Sequence, residues 1–259
     1  MIPLRDDAPA HLFPLVTLIL IVFNIAIFSV FNLALYDDPK ALEAFYDSYS
    51  VVAADVMNEQ DYLPILTSMF LHAGIMHLAG NMLFLWIYGD NIEYAFGHVG
   101  FLALYLVSGL AAEMAQIASA PASQIPGVGA SGAIAGVMGS YLLLFPGANI
   151  RMFWPAFWWF GTFTLSARTV LILWFIVQAI SAYASFGLEV GGVAFAAHAG
   201  GFAAGFVLSL PLLLLKGRPE SWDRYQDDLY SVEVEAVDLA ALRRARQGRI
   251  KKSGDGYRN

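Results

Sequence analysis

The chain has 259 residues, 58 % of them hydrophobic and 14 % charged, with a mean hydropathy of +0.60; a typical soluble domain carries about 25 % charged residues. The formal net charge of −7 sums a charge-poor body and a polar tail, because ten of the fourteen Lys and Arg lie from Lys216 onward. There is no Cys and no basic face with interleaved aromatics before that tail, which excludes disulfides, thiolate chemistry and a nucleic-acid partner and leaves a polytopic membrane protein.

A helix that crosses a bilayer takes roughly 20 mostly apolar residues. No Asp, Glu, Lys or Arg falls between Asp7 and Asp37, so a first span is expected near Leu12–Leu35. It is too long for a signal-peptide core, and Arg5 is offset by Asp6 and Asp7, so cleavage is not expected. The stretch Asp37–Tyr62 holds seven acidic residues and one Lys, Lys40, as an outside loop would. The second apolar run is Leu63–Tyr88 and the third runs from His98 to Ile117. Nothing from Met114 to Ile150 is charged, but Pro121, Pro126, Gly127 and Gly129 punctuate it. That predicts a loop, then a short fourth helix from Ser131 to Phe145 stopped by Pro146 and Gly147. Thr169–Leu188 and Gly192–Leu215 supply the fifth and sixth spans.

The expected fold is therefore an all-α bundle of six transmembrane helices over residues 1–215, followed by a polar tail over 216–259. Within the tail, Leu239–Lys252 has basic helical spacing and reads as a solvated helix, with contact to anionic lipid as the alternative. Arg5, Arg151, Arg168, Lys216 and Arg218 fall on one side of a six-span chain, which predicts cytosolic N- and C-termini. Trp154, Trp158 and Trp159 after the fourth helix suit an interfacial belt. The sequence assigns no oligomeric state.

Polar side chains inside a bilayer are expensive and default to functional candidates. Here they are His72, His77, Asn81, Ser131 and His198, with Asn24, Glu113 and Gln178 as outliers. Helical rise puts Ser131 roughly 22 Å, His198 roughly 27 Å, His77 roughly 20 Å and Asn81 roughly 14 Å from the cytosolic boundary. Ser131, His77 and His198 thus share the outer half of the membrane. A serine hydroxyl attacks a carbonyl only when a base takes its proton, and the oxyanion that forms needs preorganised donors. Ser131 starts a helix, where free N–H groups favour negative charge. His77 and Asn81, spaced i, i+4, share a helix face. Gly132, Gly136 and Gly139 on the fourth helix, and Gly201 and Gly205 after His198, let backbones approach closely. Each element also has a plain reading: Ser131 as an N-cap, His198 as an interior hydrogen-bonded histidine, His77 and Asn81 as helix glue, the glycines as packing.

These residues resemble a known family. Gly129-Ala130-Ser131-Gly132 is similar to the G-x-S-G motif of rhomboid intramembrane serine proteases, and Ala197-His198 with Gly201 and Gly205 to their A-H-x-x-G-x-x-x-G motif. His77 with Asn81 resembles their H-x-x-x-N, Gly89 with Glu93 their G-x-x-x-E, and Ile2-Pro3-Leu4-Arg5-Asp6 the opening of many bacterial members. The resemblance covers roughly residues 1–215. It implies a serine endopeptidase with Ser131 as nucleophile and His198 as base, a dyad without a carboxylate. The oxyanion is then held by the Ser131 N–H, His77 and Asn81, with Gly129, Gly132, Gly136, Gly201 and Gly205 as packing support. No cofactor or metal is implied. The implied partners are the lipid bilayer and the transmembrane helices of other proteins, cut near the extracytoplasmic face at small residues in weakened helix. Two departures stand out. The position four residues after Ser131, an aromatic in some rhomboids, is Ala135, so another group must orient His198. The family's Trp-Arg pair is absent from Asp37–Tyr62.

Other chemistries fit less well. No His is followed by Glu, as H-E-x-x-H zinc proteases need. Glu113 is the only acidic residue near a span interior, whereas an aspartyl protease needs two carboxylates. A metal site of His72, His77 and His198 lacks a carboxylate at that depth. A non-catalytic rhomboid-like protein that binds transmembrane helices usually lacks the Ser or His, and both are present. A small transporter would often show an internal repeat, and none is visible.

Overall fold

A computed structural model of the chain describes residues 2–8, 10–35, 37–156, 159–184, 186 and 193–216. The chain divides into two compact units, Met1–Arg218 and Pro219–Asn259, and the second lies outside the described residues, as do Leu239–Lys252 and Trp158.

The first unit opens with β1 (Ile2–Asp6), followed by α1 (Leu15–Ala34), α2 (Pro39–Tyr49), α3 (Ala53–Glu59) and α4 (Leu63–Thr67). A 3-10 turn at Ser68–Phe70 leads to α5 (Ile75–Ser119) and α6 (Ser131–Leu144). The strands β2 (Asn149–Ala156) and β3 (Trp159–Ser166) come next, then α7 (Ala167–Ala184) and α8 (Phe195–Lys216). Among the described residues, α1, α5, α7 and α8 are long and apolar enough to cross a membrane, and α6 is shorter. The molecule is a polytopic helical bundle.

α5 has 45 residues, and at 1.5 Å per residue it would be more than twice as long as the hydrocarbon core of a bilayer is thick. Gly97 resolves this. It stands at φ 71°, ψ 166° inside the run and breaks it in two, a conformation that only glycine adopts without strain. The second apolar run also departs from expectation. Residues 63–74 do not extend a span; they form α4, the turn and a loop, and the long helix starts at Ile75. The acidic stretch 37–62 folds into α2 and α3. Asp38 caps α2 by accepting from the Ala41 N–H at 3.1 Å, and Phe45 stacks on Phe31 of α1 at 4.2 Å between ring centroids.

The all-α expectation omitted a small antiparallel sheet of order β1-β2-β3. Its register sets Arg5 opposite Arg151, and Arg168 follows β3 directly. The chain start and the α6–α7 connection therefore meet at the end of α6 opposite Ser131. Asp6 anchors this corner. Its carboxylate oxygen accepts from Asn91 Nδ2 at 2.8 Å and from the Tyr141 hydroxyl.

α6 runs through the middle, between α5 and α8. A Cβ on Gly201 would run into the Gly132 carbonyl, one on Gly205 into that of Gly136, and one on Gly139 into that of Phe202. On the opposite side, Gly132 and Gly136 meet Ala112 and Ser108 of α5. Ser140 Oγ donates to the Gly205 carbonyl at 3.0 Å. Small residues let the three backbones close on one another, which is how helices associate where lipid removes the hydrophobic driving force. α1 is held differently. Glu93 Oε1 accepts from the Val16 N–H at 2.8 Å, and Oε2 accepts from the Thr17 N–H at 2.8 Å and its hydroxyl at 2.7 Å. A carboxylate thus satisfies the open N–H groups of the first turn of α1. A Cβ on Gly89 would stand 2.9 Å from Thr17 Cγ2, so glycine admits α1 at that distance.

Candidate active site

α6 has 14 residues, so its length of roughly 21 Å falls short of the hydrocarbon thickness. Its N-terminus opens into a cavity of about 670 Å³ lined by His77, Asn81, Glu113, Ser131, Trp174 and His198 among others. The loop before α6 is pinned at two points. Gly127 and Val51 exchange backbone hydrogen bonds of 2.7 and 3.0 Å, and the Gly129 N–H donates to the Ser68 carbonyl at 2.9 Å.

Ser131 is the first residue of α6 and His198 lies in the first turn of α8. The Gly–carbonyl contacts between these helices bring Ser131 Oγ to 2.8 Å from His198 Nε2. His77 and Asn81 lie one turn apart on α5. Gly129, grouped in the sequence with the packing glycines, stands instead at φ 133° against the His77 ring. A Cβ there would be 2.9 Å from His77 Nε2 and 3.6 Å from Ser131 Oγ, so both groups border the same small space. Asn81 Nδ2 is buried with no acceptor. An amide donor left open in a cavity wall is costly, and it would be satisfied by an oxygen entering beside it.

α7 places two side chains against His198. Gln178 Oε1 lies 2.9 Å from His198 Nδ1, and the Trp174 ring flanks the imidazole at 5.7 Å and 35°. Spaced i, i+4, they share the face of α7 that carries buried Leu171 and Ala167. The sequence marks Gln178 as an out-of-place polar residue, but nothing in the spacing names its partner. Trp174 had no signal apart from its apolar span. Gln116 is a further polar lining residue, its Oε1 accepting from the Ala197 N–H at 3.3 Å beside His198. His72 is not drawn to His198; it packs edge-on to His77 at 5.2 Å. Among the described residues no three His, Asp or Glu side chains converge to hold a metal ion. Chemically, the arrangement offers a hydroxyl beside an imidazole, a helix N-terminus and an open amide donor, all within an apolar chamber.

Residues 59–215, more than half of the chain, match the family model described as the Rhomboid domain. Over 152 residues, 59 % of this chain, it is 34 % identical to the "Rhomboid protease GluP" of Bacillus subtilis (strain 168), covering 26 % of that protein. It is 31 % identical over 134 residues, half of its own length, to "Rhomboid protein 1, mitochondrial" of Saccharomyces cerevisiae, covering 36 % of the relative. "RHOMBOID-like protein 6, mitochondrial" of Arabidopsis thaliana is 31 % identical over 167 residues, 63 % of this chain and 47 % of the relative. The matched region thus spans between a quarter and a half of the length of these relatives.

Proposed function

The chain belongs to the rhomboid family, and from that premise we propose that it is an intramembrane serine endopeptidase whose nucleophile and base are Ser131 and His198. The observation that carries the reading is the 2.8 Å approach of Ser131 Oγ to His198 Nε2 at the mouth of a short helix inside the bundle. Ser131 Oγ attacks the scissile carbonyl carbon and its proton passes to His198 Nε2. The oxyanion is held by the Ser131 N–H, by Asn81 Nδ2 and by His77. As the C–N bond breaks, His198 returns the proton to the leaving amine. It then deprotonates the water that frees Ser131 from the ester.

The substrates are transmembrane helices of other membrane proteins. An intact helix hides its carbonyls in hydrogen bonds to the residue four places on, so small and helix-weakening residues mark the cut. Counting α5 as two crossings and including α6 gives six spans, with both termini cytosolic in an inner membrane. The side-by-side placement of Arg5 and Arg151, with Arg168 close by, supports that orientation. Residues 216–259 form the polar cytosolic tail.

Labelling by a fluorophosphonate probe in detergent tests the assignment. The wild type is expected to label, Ser131→Ala not at all, and His198→Ala more slowly by about 10²-fold or more, the scale of general-base catalysis. A wild type that binds a transmembrane peptide without labelling would make this a non-catalytic helix-binding member.

A further inference from the structure

We propose that Gln178 is the positioning residue of the dyad, holding His198 in the tautomer that carries its hydrogen on Nδ1 and leaves the Nε2 lone pair facing Ser131. The inference rests on the proposed protease reading and adds a third residue to it.

A neutral imidazole has one N–H and one lone pair, and which nitrogen holds which is set by the partner of the other nitrogen. His198 has both ring nitrogens engaged, Nε2 with Ser131 Oγ at 2.8 Å and Nδ1 with Gln178 Oε1 at 2.9 Å. A carbonyl oxygen can only accept, so Nδ1 donates and Nε2 is free to take the serine proton. The opposite tautomer would turn Nε2 into a donor to Ser131 Oγ, with no lone pair left to take the serine proton, and would orphan a buried carbonyl at Nδ1. When Nε2 gains its proton, the same oxygen faces the Nδ1–H of the imidazolium with the negative end of its dipole.

The residue type suits the place. Soluble serine proteases put a carboxylate behind the imidazole, but an ionised carboxylate within a membrane bundle carries a large desolvation cost. An amide supplies the acceptor without the charge. Gln178 is 8 % exposed, and Trp174, one turn earlier, flanks the ring. The face of α7 therefore restrains the imidazole through an edge and a flank. Ala135 of α6 provides no ring for this, so the restraint falls to α7.

A plainer role would be to hold α7 to α8, since polar side chains bond across membrane helices. The two roles separate in a kinetic experiment on the full chain in detergent. It compares wild type, Gln178→Leu and Gln178→Glu for kcat and KM on a transmembrane reporter and for fluorophosphonate labelling rate per folded molecule. Leucine removes the acceptor at similar volume, and glutamate keeps an acceptor at the same reach. Positioning predicts that Gln178→Leu loses about tenfold or more in kcat and in labelling rate, part of the roughly 10²–10⁴ that a general base supplies, with KM within about twofold of wild type. Gln178→Glu is expected to recover most of that loss. Wild-type kcat in the leucine variant, or equal losses in both variants, would overturn the proposal while leaving the protease reading intact. A wild type that neither cuts nor labels would overturn that reading and this inference with it. If the leucine variant does not fold, ¹⁵N NMR of the wild type decides: a hydrogen on His198 Nδ1 is expected, and one on Nε2 in the resting protein contradicts the role.

Discussion

Asp6 holds its carboxyl among groups that act on its charge in opposite directions. Burial pushes its pKa up from 3.8 to about 7, the nearby Asp90 and Asp7 push the same way, and the Tyr141 hydroxyl works against them. Burial is the largest effect. The folded protein therefore holds the Asp6 proton more tightly than the unfolded chain does. The resulting stability is fully present below about pH 3.8 and is lost as pH rises through about 7. Thermal unfolding in detergent between pH 5 and 8 is expected to show that decline, and Asp6→Asn, which cannot ionise, to flatten part of it. A decline unchanged in Asp6→Asn would assign it to other groups. At this scale the sequence was most informative. Ser131, His198, His77 and Asn81 all line one cavity because helical spacing fixes face and depth. The partner of His198 was not legible, since a contact between residues 178 and 198 depends on how α7 leans, and no periodicity records that.

Among the elements, the helix runs were legible wherever apolar stretches ended in Pro, Gly or charge, as α1, α6 and α8 do. What escaped was short or non-local. α2 and α3 are too short to signal above their loop composition, and the run from Leu63 reads as apolar although its first residues form α4 and a turn. The sheet pairs Ile2 with Phe153, a match between distant strands that alternation alone does not specify. One contact between elements gives a quantitative expectation. Glu93 joins α5 to the first turn of α1 through three hydrogen bonds and to His98 Nδ1 at 2.5 Å. Hydrogen bonds to a charged group contribute about 1.5–3 kcal/mol each, and their losses overlap when one carboxylate makes them all. Glu93→Ala is therefore expected to cost about 3 kcal/mol or more, measured by denaturant titration in detergent. A cost under about 1 kcal/mol would mean that α1 is held by its apolar packing instead.

At the scale of the molecule, the parts place their demands at opposite ends of α6. One end is tied to β1 through Tyr141 and Asp6; the other opens into a chamber where a hydroxyl, an imidazole and an unpaired amide donor meet. The helix is too short to reach both membrane surfaces, and Ser131 at its start lines that chamber. The sheet closes the far end, joining the chain start to the α6–α7 connection. The most direct test of this account is cleavage of a single-span reporter whose helix carries small and helix-breaking residues, co-expressed with wild type, Ser131→Ala or His198→Ala and read on a gel. The account predicts a cut product with the wild type and none with either variant at equal expression. A product of equal yield with Ser131→Ala would contradict it.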